Sequence, residues 1–127
     1  FYRNLFNSLG LASDDIPQDL ANEMYEQVVN LGQGGHTRYL QRICNAFNYN
    51  KKAKAALFPD LQEDGALGNR TRAALRVLIE KRTTQAVLVH ALNAAQAMHY
   101  VNLAARDETQ RCFLDGWLKR TYDPESV

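Results

Sequence analysis

The chain holds 127 residues, 46% of them apolar and 23% charged, and its 15 Lys+Arg against 14 Asp+Glu leave a formal net charge of +1. That length fits one domain of about 100–150 residues that folds without a metal or disulfide, and the composition excludes a disordered chain. The near-neutral balance argues against a nucleic-acid binder that works by neutralising phosphates, and apolar runs of only four residues, such as Ala86 to Val89, exclude a membrane-spanning helix.

No basic-then-apolar secretion signal opens the chain. It starts at Phe1 without a Met, as a processed or excised piece of a longer protein would. Asp14 and Asp15 suit an N-cap for the first full helix, with Pro17 in its opening turn. Leu20, Met24, Val28 and Leu31, spaced 4, 4 and 3, mark its inward face. Gly32 ends it, and Gly34-Gly35 reads as a tight connection into a helix carrying Leu40, Ile43, Cys44 and Phe47. Periodicity then lapses, which predicts a loop or short hairpin over 48–68, with turn signals at Phe58-Pro59-Asp60 and Asp64-Gly65. Helix resumes near Asn69, with Ala74, Leu75, Leu78 and Ile79 inward. Thr83-Thr84 caps the longest helix, whose inner face reads as Val87, Leu88, Ala91, Leu92, Ala95 and Met98. Asp107 and Gln110 resemble a capping box, and the last helix sets Phe113, Leu114, Trp117 and Leu118 inward. No segment alternates with period two long enough to build a sheet. The expected fold is all-α, one compact domain of about five helices across residues 1–127.

Cys44 and Cys112 stand in apolar helical patterns and read as two buried small hydrophobes, with a single disulfide as the alternative. His36, His90 and His99 show no metal-ligand spacing and read as structural or surface histidines. No nucleotide-binding or serine-hydrolase motif occurs, and Gly32-Gln33-Gly34-Gly35 lacks the Lys-Ser/Thr of a phosphate loop. No metal and no cofactor is expected.

Two features exceed what a plain bundle needs. In Asp64-Gly65-Ala66-Leu67-Gly68-Asn69-Arg70-Thr71, Gly65 and Gly68 permit backbone angles closed to other residues, Asp64 can bond freed N–H groups, and Thr71 falls in the first helical turn. On the longest helix, Asn93, Gln96 and Tyr100 share one side, read as nearly opposite the Leu88/Leu92 stripe. Their amides and phenol suit recognition of a sugar or peptide, an ordinary solvated face being the bland alternative. A glycosidase needs an acid and a second carboxylate or water-positioning group. Glu23 and Glu26 share one helix face, but the pattern identifies no acid with a raised pKa, and surface solvation explains the pair as well.

Five blocks, in order, resemble bacterial and phage N-acetylmuramidases of family 108 of the glycoside hydrolases. They are Met24 to Gly32 with its V-N-x-G ending, Leu40-Gln41-Arg42, Asp64-Gly65…Gly68…Thr71…Ala74-Leu75, Ala91 to Gln96 with Tyr100, and Phe113 to Leu118 with F-x-x-G-W. The resemblance spans about residues 6 to 120. It implies the C-terminal peptidoglycan-binding region of a wall-cleaving enzyme, acting in the periplasm or cell wall on the glycan strand or stem peptide. The family's catalytic Glu belongs to an upstream E-G-G motif, which this chain lacks. The resemblance therefore implies a piece without its catalytic segment. Asp64, Gly65, Gly68 and Thr71 are expected to shape the site, and Asn93, Gln96 and Tyr100 to touch substrate. The alternatives are a complete muramidase using an internal acid, Glu26 first, and a non-catalytic adaptor of a phage lysis or secretion apparatus. The near-neutral charge and the absence of a long exposed apolar heptad weigh against a coiled-coil partner.

Overall fold

A computed structural model of the chain describes Asn7, Gly10 and residues 16–121, so the expected caps Asp14 and Asp15 lie outside the described residues. The described residues form five α-helices and one 3-10 turn, with no strand: α1 (Gln18–Leu31), α2 (Gln33–Phe47), α3 (Asn69–Lys81), α4 (Gln85–Arg106), the 3-10 segment Glu108–Phe113 and α5 (Leu114–Lys119). The expected all-α class holds. The hairpin expected as one option over 48–68 is absent; only an isolated bridge joins Asn50 and Ala55.

The core is where the four long helices meet. Leu20, Ala21, Met24 and Val28 of α1 face Leu40 and Cys44 of α2, Ala74, Leu75 and Leu78 of α3, and Leu88 and Leu92 of α4. Each fully buried leucine contributes about 2 kcal/mol by leaving water. One buried polar link crosses this core. His36 Nδ1 meets Gln27 Oε1 at 2.7 Å, and Gln27 Nε2 donates to the Leu92 carbonyl at 2.7 Å, joining α2, α1 and α4. Because the Gln27 amide spends its N–H on Leu92, its oxygen must accept, so the proton sits on His36 Nδ1.

Several elements differ from expectation for identifiable reasons. Gly32 alone, at φ +84°, makes the α1–α2 junction: its N–H closes α1 on Val28 O, and its carbonyl accepts from His36 N to open α2. Gly34 and Gly35 are therefore inside α2 and do not form the connection. Thr84 caps α4 as expected, its Oγ1 accepting from Val87 N. The buried stripe of α4 is Leu88, Leu92, Gln96, Tyr100 and Ala104, whereas Val87 and Met98, expected inward, are 44% and 57% exposed. Arg106 is the single charged residue in α4, so its pattern is apolar nearly all round and periodicity could not choose a face. Val87, Met98 and Val101 give it an exposed apolar flank, which the sequence reading had not expected. Asp107 caps a 3-10 turn through Thr109 N rather than a reciprocal capping box. Among the described residues after it none is fully buried: Phe113 is 51% exposed and Leu114, Trp117 and Leu118 are half-buried against the end of α4. Cys44 is buried and Cys112 exposed, both as free thiols, which corrects the reading of two buried cysteines.

Candidate functional site

Three amides, two on one face of α2 and one at its C-cap, build the site. Gln41, Asn45 and Asn48 recur at steps of 4 and 3 and so line up along the helix. The chain from Leu57 to Ala66 runs back antiparallel along this row. Asn48 Oδ1 accepts from Leu57 N at 2.8 Å and Phe58 N at 3.1 Å. Its Nδ2 donates to Phe58 O at 2.6 Å and Asp60 Oδ1 at 2.8 Å. Asn45 pairs with both backbone groups of Leu61, at 2.9 and 2.8 Å. Gln41 Oε1 accepts from Gly65 N at 3.0 Å, while its Nε2 serves Asp64 Oδ1 at 2.9 Å, Ala66 O at 3.1 Å and Thr71 Oγ1 at 3.3 Å. A segment with no secondary structure must satisfy its backbone groups somehow. Here side chains of a rigid helix do it.

The result is a cleft of about 450 Å³ between this segment and α3, with Gln41 in its lining, a volume within the usual range for ligand sites. Phe58, Pro59, Leu61, Ala73, Ala74 and Val77 give it apolar surface; Asp60, Asp64, Arg70 and Thr71 give it polar groups. Asp64 is doubly held, since its Oδ1 also accepts from Ala66 N at 2.9 Å. Bonds from Ala66 N and Gln41, with smaller help from Arg38, hold its carboxyl below the usual carboxylate range and keep it ionised. Thr71 is 3% exposed and only accepts from Gln41. Its own hydroxyl hydrogen reaches no described acceptor.

Gly65 adopts φ +78°, as its expected role requires. Gly68 does not. It is the N-cap of α3 at φ −104°, with open space where a Cβ would stand. Asp64, Gly65 and Thr71 thus converge on Gln41, while Asn93, Gln96 and Tyr100 lie elsewhere and do not line the cleft. Gln96 and Tyr100 are not opposite Leu88 and Leu92. They continue that stripe at 2% and 4% exposed, with Gln96 Nε2 donating to Tyr100 Oη at 2.8 Å. Tyr100 also stacks on Trp117 at 5.2 Å between centroids. These groups hold the C-terminal segment against α4, and Asn93 is half-buried nearby on the helix.

The sequence reading missed Gln41, Asn45 and Asn48 as site-builders, along with Asp60 and Arg70. Amides at i, i+4 and i+7 just before a long aperiodic stretch were the available signal. It named Glu23 beside Glu26 but saw no raised pKa there, whereas the Glu23 carboxyl is pushed up to about 7 by burial first and by the Glu26 charge second. Glu23 does not line the cleft. Among the described residues no cluster of His, Cys, Asp or Glu could hold a metal ion, and no helix is long and apolar enough to cross a membrane.

Against known families, residues 35–122 match the one described as predicted peptidoglycan domain. The chain belongs to that family. The match takes in all but the first two residues of α2, the clamped segment, α3, α4 and α5, and so the whole cleft. No curated protein matches the chain. Membership supports peptidoglycan as the partner and is consistent with association with the cell wall.

Proposed function

We propose that the cleft between residues 57–66 and α3 is where this peptidoglycan domain engages the wall, as the non-catalytic part of a muramidase. The observation that carries the reading is the convergence of Asp64, Gly65 and Thr71 on Gln41 at the edge of a ligand-sized cleft. These residues belong to blocks through which the chain resembles the muramidases of family 108. Asp64 and Thr71 face the ligand and Gly65 shapes the turn. Asn93, Gln96 and Tyr100 act indirectly, by fixing α4 and the C-terminal segment. The test is incubation of the purified chain with insoluble sacculi, following sedimentation and release of soluble muropeptides together. Sedimentation without release is the expected result; absence of sedimentation would contradict wall binding.

One observation favours the second reading, a complete muramidase. Burial, and then the charge of Glu26, push the Glu23 carboxyl up to about 7, the direction a general acid for glycoside cleavage needs. On this reading Glu23, rather than Glu26, is the acid to mutate first. Muropeptide release abolished by Glu23→Gln would establish this reading in place of the first.

A further inference from the structure

Resting on the wall-binding reading above, we propose that the cleft takes the peptide stems of peptidoglycan rather than its sugar backbone, holding a short dipolar peptide by its ammonium and carboxylate groups. The sugar backbone is uncharged, because its lactyl carboxyl is consumed in the amide to the stem. A site for it calls for neutral donors and acceptors with flat aromatic rings. This cleft carries the opposite chemistry. Asp60 and Asp64 bring negative charge from the clamped segment, Arg70 brings positive charge from the first turn of α3, and Phe58 is the one aromatic ring in the lining.

Each group is prepared for a partner. The hydrogen bonds from Asn48 and Gln41 fix the two carboxylates without neutralising them. The Arg70 side chain is exposed and forms no ion pair or hydrogen bond with another described residue. Thr71, more than nine-tenths buried, has its hydroxyl hydrogen unspent. That hydrogen suits a peptide carbonyl, and the apolar surface of Phe58, Ala73 and Val77 suits the small side chains of a stem. An ammonium shared by Asp60 and Asp64 and a carboxylate at Arg70 bring an opposite charge to every charged group in the cleft lining.

The test compares three probes: intact sacculi, the soluble glycan strands an amidase leaves when it strips the stems, with their freed lactyl carboxylates amidated, and the released soluble stems. Wild-type chain is set beside Asp64→Asn and Arg70→Gln, with unfolding curves of each. The amide introduced by Asp64→Asn keeps an oxygen to accept from Gln41 and Ala66, and Arg70 is exposed, so both variants should fold; should the first fail, the second decides alone. The proposal expects wild type to sediment with intact sacculi and to lose at least about tenfold in affinity for stripped glycan. Free stems should compete, salt should weaken binding, and each variant should lose about tenfold. Equal binding to stripped glycan, or stems that do not compete, would overturn the stem proposal and leave wall binding standing. No sedimentation with any sacculi would overturn the wall-binding reading itself, and this proposal with it.

Discussion

Gly65 lies directly against Gly34: a methyl group on Gly65 would stand 3.2 Å from the Gly34 carbonyl oxygen and 3.3 Å from its Cα. Two glycines far apart in sequence thus let the turn at Asp64 touch the first turn of α2. Gly65 also needs its φ of +78°, which a Cβ disfavours. Gly65→Ala should destabilise the fold by about 2 kcal/mol in urea unfolding, combining the backbone cost with contact against immobile main chain. Gly116 is the control. It lies in α5 with open space around it, and Gly116→Ala should be neutral or stabilising by about 0.5 kcal/mol. Equal effects at the two sites would contradict the distinction between them.

Asn48 uses its whole hydrogen-bonding capacity on Leu57, Phe58 and Asp60. Asn48→Ala should cost about 2–3 kcal/mol, because the backbone groups it serves are left partly buried and unpaired. Gln41→Ala should cost a similar amount. Since both hold one segment, the double variant should fall short of the sum. A cost below about 1 kcal/mol for Asn48→Ala would show that the segment is held in another way.

Stability should carry two opposed pH dependences. Burial pushes His36 down from an ordinary 6.5 to about 4, so the unfolded chain takes up that proton first. This contribution is complete above pH 6.5 and is lost as pH falls to about 4, a change of about 3 kcal/mol. Glu23 is raised from 4.5 to about 7, so its contribution is complete below pH 4.5 and is lost as pH rises through 7. Glu23 is only half-buried, and screening by solvent reduces its effect to about 1 kcal/mol. Glu23→Gln should therefore stabilise the chain at pH 8 and steepen the loss between pH 6.5 and 4, while His36→Gln should flatten that loss. Urea unfolding across this range checks both. A shallower acid loss in Glu23→Gln would contradict the assignment.

The two thiols should separate cleanly. Burial pushes Cys44 up to about 12, whereas Cys112 is exposed. A thiol reagent should label Cys112 in the native chain and Cys44 only at the rate of unfolding. Native labelling of both would contradict the placement of Cys44 in the core.

The contrasts between sequence and structure follow physical lines. The helices of Leu20/Met24/Val28 and Ala74/Leu75/Leu78 were legible because each has one apolar stripe and a polar remainder. In α4 the stripe was ambiguous, and Gln96 and Tyr100 were read as surface although they are buried against each other and Trp117. Polar side chains that satisfy one another in the interior carry no mark of it in their spacing. The Asp64-Gly65 turn was visible as a motif, yet its anchor was not, since Gln41 lies 23 residues upstream of Asp64. Gly68 shows the reverse error: a motif glycine was assigned a conformational need that its backbone does not have.

The most direct measurement is titration of soluble muropeptides into the isotopically labelled chain, following backbone amide shifts in solution. Binding in the cleft should give saturable shifts concentrated at residues 58–66 and 70–77, lost in Arg70→Gln. Shifts centred instead on Asn93, Tyr100 and Trp117, with the amides of the cleft unmoved, would contradict the placement of the wall-binding site.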